Sequence, residues 1–151
     1  MPLVAIAGRR RGVCIEADVP VVHALDWLPE PSLDSEFARV KKKAADELGL
    51  SLTYHQLDVR DSGRLNEVVE EIASRHGRLD GLVAAAGIQQ ETSALEYKAA
   101  DIEKMLSVNV TGVFLTAQAV ARQMVKRGTP GSLVLIGSMS ATVANRGLIC
   151  P

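Results

Sequence analysis

Five short apolar runs, each cut off by a glycine or an acidic turn residue, are separated by stretches with turn residues or a helical period, and this alternation constrains the chain more than any other feature. Runs of this kind, interleaved with amphipathic helices, are the signature of βαβ units and a parallel sheet. The strand candidates are Leu3–Ala7, Val19–Leu25, Ser51–Leu57, Leu79–Ala86 and Ser132–Ile136. After the turn Pro29-Glu30-Pro31, Ser32 or Asp34 can cap a helix that runs to about Leu48. Its stripe is Phe37, Val40, Ala44 and Leu48, and Gly49 stops it. Asp61 or Ser62 caps a second helix, whose Leu65, Val68, Val69 and Ile72 fall at i, i+3, i+4 and i+7; Gly77 ends it. A long third helix spans about Ala100 to Arg127, with Gly128 and Pro130 as its stop. The last stretch, Gly137 to Pro151, has no clear period.

The chain of 151 residues fits one domain, expected to span residues 1–151. With 47% hydrophobic and 23% charged residues it has an ordinary soluble composition. A formal net charge of −1 asks for neither nucleic acid nor an anionic membrane as partner. No apolar run approaches the ~20 residues of a membrane span, and the start lacks the charge-first order of a secretory signal. Cys14 and Cys150 share no cluster with each other or with histidine, so neither a metal site nor a disulfide framework is implied, and a cytoplasmic location is expected.

Several residues sit where a doubly wound sheet places ligands. Gly8-Arg9-Arg10-Arg11-Gly12 follows the first strand, where a glycine turn lets backbone N–H groups approach a pyrophosphate; two glycines there also make an ordinary turn. Asp26 closes the second strand and can take both hydroxyls of an adenosine ribose, or act as a turn aspartate. Asp58 closes the third strand, facing the ligand crevice or capping a turn. Asn109 falls on the apolar stripe of the long helix, among Ile102, Leu106, Val113, Ala117, Val120 and Met124. A buried amide costs roughly 1–3 kcal/mol unless bonded, so Asn109 either bonds a neighbouring backbone or serves a site. Ser138 lies just past the fifth strand. The absence of a Gly-x-Ser-x-Gly elbow argues against a hydrolase, and the absence of a P-loop motif removes phosphoryl transfer of that type.

Together, Leu57-Asp58-Val59, Gly77-Arg78-Leu79-Asp80-Gly81-Leu82-Val83, Ala84-Ala85-Ala86-Gly87, Val108-Asn109-Val110-Thr111-Gly112 and Ile136-Gly137-Ser138-Met139-Ser140 resemble the short-chain dehydrogenases/reductases in order and separation. The last piece resembles the sugar- and polyol-reductase branch. The resemblance implies an α/β, Rossmann-like doubly wound parallel sheet, here incomplete. About five strands are expected, with the first crossover helix shortened and the last strands missing. It implies an NAD(P)-dependent interconversion of a small carbonyl and alcohol, and self-association in full-length members. By that resemblance Gly8 and Gly12 meet the cofactor phosphates, Asp58 and Val59 hold the adenine, and Ala85, Ala86 and Gly87 pass its ribose. Asn109 holds a water in the proton relay, and Ser138, with Ser140 as rival, bonds the substrate carbonyl. Asp26 favours NAD, whereas the arginines of the glycine turn often accompany NADP; NAD is slightly preferred.

The departures from the family pattern matter equally. Ala7 stands for a threonine and Cys14 for the third glycine of the phosphate turn, and Ala85 replaces an asparagine. Only Val13 to about Val19 lies between the turn and the second strand, whereas a parallel crossover needs at least about 10–12 residues. The family's Tyr-x-x-x-Lys does not follow Ser138, and neither Tyr54 nor Tyr97 has a lysine four residues on. Cofactor binding is therefore expected to be impaired and the 151 residues inactive, with a non-catalytic nucleotide- or partner-binding pseudoenzyme as the alternative. A bare fifth strand predicts poor solubility for residues 1–151 alone.

Overall fold

The ten residues between Arg9 and Pro20 decide the topology. The computed structural model describes residues 4–9, 20–29 and 31–138. It contains the strands β1 (Val4–Arg9), β2 (Pro20–Asp26), β3 (Ser51–Gln56), β4 (Gly81–Ala84) and β5 (Ser132–Leu135) in one sheet of order β3-β2-β1-β4-β5. This is the strand order of a doubly wound sheet. β2 and β3 run parallel, as do β4 and β5. β1 runs antiparallel to both of its neighbours, β2 and β4.

The sheet is the expected doubly wound one with a single strand reversed, and the cause of the reversal is the short connector. A parallel neighbour must be reached by carrying the chain back along the whole strand, which takes roughly a dozen residues or more, usually as a helix. Ten residues fall short of that, whereas an antiparallel neighbour needs only a turn. Gly8 does not end β1, as expected from sequence. It lies inside the strand opposite Val21.

α1 (Glu36–Leu48) begins at Ser35, whose Oγ accepts from Ala38 N at 3.2 Å, so neither Ser32 nor Asp34 is the cap. It ends at Gly49, whose φ of 60° is the left-handed conformation that glycine adopts without strain. Only Ala44 of its predicted stripe is buried; Val40 is 52% and Leu48 69% exposed. α1 lies on the sheet face of Tyr54, whose ring meets Phe37 edge-on.

α2 (Ser62–His76) is capped by Asp61, which accepts from Arg64 N at 2.9 Å. Its predicted stripe, Leu65, Val68, Val69 and Ile72, is fully buried. With α4 (Val113–Arg127) it covers the opposite face of the sheet, where Leu25, Leu82 and Ala84 join Val113, Val120 and Met124 in one apolar cluster. Val83 lies on the α1 side of the sheet, in register with Ala5, and is 40% exposed.

The expected single long helix is two α-helices joined by a wider turn: α3 (Ala99–Leu106), a π-helical turn Ser107–Gly112, and α4. The wider turn shifts the buried stripe by one residue. Met105 is buried where Leu106 was expected, and Leu106 is 42% exposed. π turns inserted in a helix are frequent at functional sites. Along β5 every residue is exposed, with Leu133, Val134 and Leu135 at 38%, 46% and 52%. Among the described residues no helix is long and apolar enough to cross a membrane.

Candidate functional site

The carboxyl ends of β2, β3 and β4 emerge on the same edge of the sheet, and there they surround a cleft of about 380 Å³. In open α/β sheets this edge is where ligands bind. The end of β2 and the residue after it contribute Leu25, Asp26 and Trp27; the segment after β3 contributes Leu57, Asp58, Val59 and Arg60. The segment after β4 supplies Ala86, Ile88, Gln89 and Gln90, and α3 with its π turn closes the far wall with Lys104, Met105 and Val108. The backbone ties the two strand ends together: Leu57 N–H donates to Asp26 C=O at 2.7 Å.

Asp26 is 3% exposed. Its Oδ1 accepts from Leu28 N at 3.2 Å, while its buried Oδ2 has no hydrogen-bond partner among the described residues. A buried carboxylate oxygen without a donor is costly, and a ribose hydroxyl entering the cleft would supply one. Asp58 is in a different state. Its Oδ1 accepts from Arg60 N at 2.9 Å, and Arg60 Nε reaches both carboxylate oxygens at 3.0 Å. The Arg60 guanidinium beside it holds the Asp58 carboxyl below the usual carboxylate range. An adenine approaching Asp58 would have to displace or share that bidentate pair.

Asn109 sits in the π turn and clamps the loop after β4. Its Oδ1 accepts from Ile88 N at 2.8 Å, and its Nδ2 donates to Ile88 C=O at 2.9 Å. The amide thus bonds a neighbouring backbone, one of the two alternatives left by the sequence, and it fixes Ile88, a wall of the cleft. A Cβ at Gly87 would lie 3.6 Å from Asn109 Oδ1. At Gly112 the restriction is harder. A Cβ there would stand 2.5 Å from Val59 Cγ2, so the close approach of the π turn to the end of β3 requires glycine.

The structure therefore gathers Asp26, Asp58, Val59 and Ala86 around one cleft, with Ala85, Gly87 and Asn109 immediately behind its wall. Ser138 is exposed beyond β5 on the same edge, where Ile136 N donates to Ala84 C=O at 3.0 Å. Gly8 is not part of the cleft. The antiparallel register sets it beside Val21, near the start of β2, while Val4 is the β1 residue beside Leu25 and Ala84. Asp26 lies five residue steps along β2 from Val21, roughly 17 Å at about 3.3 Å per residue. Gly12 and Ser140 lie outside the described residues. Tyr54 Oη donates to Leu28 C=O at 2.9 Å and Tyr97 Oη to Gln90 C=O at 3.2 Å, so both phenols serve the backbone around the cleft. Trp27, Arg60 and Lys104 escaped the sequence reading because exposed residues next to a motif carry no periodic signal.

A crevice at the carboxyl ends of parallel strands, lined by a buried acidic residue, is the ligand-binding edge of an open α/β sheet. The short chain dehydrogenase profile matches residues 32–150. The chain belongs to that family. It is 35% identical over 135 residues to the short chain dehydrogenase/reductase notP' of Aspergillus versicolor, covering 89% of this chain and 45% of that protein. It is 35% identical over 114 residues to an NADH-dependent L-xylulose reductase of Ambrosiozyma monospora, covering 72% and 42%. Among solved structures, a carveol dehydrogenase from Mycobacterium avium in complex with NAD aligns with a TM-score of 0.71 at 27% identity, covering 83% of this chain and 48% of that one. The chain thus spans less than half the length of these relatives.

The residues fit a nicotinamide dinucleotide in part. The orphaned Asp26 oxygen and the cleft suit its adenosine end. The glycine turn that would carry its pyrophosphate begins at the opposite end of the sheet, and that part does not fit.

Proposed function

We propose that these residues form the adenosine-facing portion of an NAD(P)-dependent oxidoreductase that interconverts a small alcohol and carbonyl, and that by themselves they bind the nucleotide weakly and do not turn it over. The observation that carries the reading is the buried, partnerless Oδ2 of Asp26 at the carboxyl end of β2, inside the cleft. A carboxylate there accepts from a ribose diol and repels a 2′-phosphate, which favours NAD over NADP. Relatives named as an L-xylulose reductase and a D-arabinitol 2-dehydrogenase support a sugar or polyol as the substrate class. A cytoplasmic place, one domain and self-association follow from the same family reading.

Within this proposal Asp58 and Val59 meet the adenine, Ala85 to Gly87 pass the ribose, Asn109 shapes the wall and Ser138 bonds the substrate carbonyl. Proton transfer is the missing function. Both tyrosines in the chain are engaged with backbone carbonyls, and neither is followed by a lysine at the fourth position. General acid–base assistance is worth roughly 10²–10⁴-fold, and no step here replaces it. The engagement of both tyrosines with backbone carbonyls is equally compatible with a second reading, a nucleotide- or partner-binding module without catalysis.

Titration of the purified chain with NADH, NADPH and ADP-ribose, followed by ligand fluorescence or calorimetry, separates these readings. Millimolar binding of ADP-ribose and NADH, weakened further by Asp26→Asn, is expected. Micromolar binding would favour the non-catalytic module. Carbonyl reduction by the purified 151-residue chain would overturn the claim of inactivity, and equal binding of NADPH would overturn the role of Asp26.

A further inference from the structure

The chain has three histidines, and the fold brings all of them together. His23 of β2 is 1% exposed and lies between the other two. Its Nδ1 is 2.8 Å from Nε2 of His55 on β3, and its Nε2 is 2.8 Å from Nε2 of His76 at the C-terminal end of α2. The string lies away from the cleft's lining, on the sheet face covered by α2. It does not have the form of a metal site, because the central ring spends both nitrogens on its neighbours and no single ion can meet all three rings. Among the described residues no cluster of potential ligands could hold a metal ion.

Proton counting fixes what the string can do. Four ring nitrogens meet in two N···N contacts, and each contact holds one proton. Three neutral rings satisfy both contacts, with the two N–H groups pointing the same way along the string. One extra proton is also compatible, for a cationic His23 can donate at both nitrogens. Any two cations among the three rings leave one contact with N–H facing N–H across 2.8 Å. The string therefore holds at most one added proton while it stays closed.

The surroundings work in the same direction. Burial, then His55, His76 and Arg75, lowers His23 from its ordinary value to about 4. Burial and then Arg75 lower His55; Glu71 opposes them, and Arg64 adds a smaller lowering effect. These three charged groups all come from α2. On the string's face the alternation of β2 and β3 places only His23 and His55 as titratable groups, and β1 carries one charged residue, Arg9, which pairs with Pro20. From α4, Lys126 engages Glu70 and Arg127 engages Ser74, farther along α2.

We propose that the His55–His23–His76 string is an acid-sensitive latch that clips the C-terminal end of α2 to β2 and β3, closed with at most one added proton and opened by the second. Asp26 and Asp58 stand three residues beyond His23 and His55 on the same two chain segments, so opening the latch disturbs the strand ends that carry the cleft's carboxylates. That consequence for ligand binding rests on the nucleotide reading of the cleft; the latch itself does not. For each proton that the open form binds in excess, the ratio of closed to open falls about tenfold per pH unit below about 6.5.

Long-range proton–nitrogen spectra of the full chain with nitrogen-15-labelled histidine, from pH 8 to 4.5, test the latch directly. Expected is one cationic ring at most while the folded spectrum persists, the second protonation coinciding with loss of contacts between α2 and the sheet. Two cationic rings in an intact fold, or three rings titrating independently near the ordinary value, would overturn the latch. His55→Gln, at a half-buried position where an amide can still bond, should flatten the fall in melting temperature between pH 7 and 5; an unchanged slope would also overturn it. ADP-ribose affinity should fall with pH in the wild type and less so in His55→Gln. Absence of ADP-ribose binding at every pH would sink the nucleotide reading, with the spectra still deciding the latch.

Discussion

At the scale of single residues, the tightest constraint is Gly112 against Val59. An added methyl group would meet a buried, β-branched side chain at 2.5 Å and its Cβ at 3.1 Å, with Ser107 C=O at 3.2 Å behind it. Overpacking of this kind costs typically about 1–3 kcal/mol. Gly112→Ala should therefore lower stability by that amount in urea unfolding. Val59→Ala, which removes the opposing methyls, should recover part of the loss in a double-mutant cycle; strict additivity would show that the two positions do not meet. In the sequence Gly112 is visible only as the end of the Val108–Gly112 motif, without its partner. The partner is set by which strand end the π turn leans on, a tertiary fact. The histidines were likewise visible one by one, yet 32 and 53 residues apart in sequence, with no local signal to join them.

At the scale of elements, the outcome follows how local each determinant is. α2 was legible almost in full, because a stripe at i, i+3, i+4 and i+7 and a cap at Asp61 or Ser62 are local properties, and the structure selects Asp61. The long helix was legible in extent but not in form. Its π turn arises where Asn109 reaches out to both backbone groups of Ile88, a bond to a loop 21 residues away. Asn109→Ala would leave Ile88 N–H and C=O without that partner, at about 1–3 kcal/mol. A lower midpoint of thermal unfolding is expected, together with faster amide exchange at Ile88. Exchange at Ile88 equal to wild type would show that the clamp does not hold the loop. The stripe of α1 was legible as a helix but is largely outside the core, with Val40 52% and Leu48 69% exposed.

For the whole molecule, strand order and strand direction separate. The order β3-β2-β1-β4-β5 matches the doubly wound arrangement that the family resemblance implies, but β1 points the other way. The physical source is connector length, which sequence showed as a clipped crossover without showing that the strand would turn round. Lengthening the connector should reverse this. Insertion of roughly a dozen helix-forming residues between Gly12 and Pro20 gives the chain the span that a parallel crossover needs. Gly8 would then emerge beside Asp26, and NADH should bind at least tenfold more tightly than to the unmodified chain. A cysteine pair across the β1–β2 register, such as Ala5 with Ala24, should crosslink in the unmodified chain and fail to do so in the lengthened one. Crosslinking in both would show that direction does not depend on the connector.

A strand flipped end for end keeps its place between the same two neighbours. What changes is which rim of the sheet each of its tips reaches, and ligand chemistry happens at one rim only. A linker a few codons too short can thus pass any screen for folded protein while carrying a phosphate-binding turn to the wrong side of the molecule, so melting curves and assays of ligand capture should be expected to rank such chains differently.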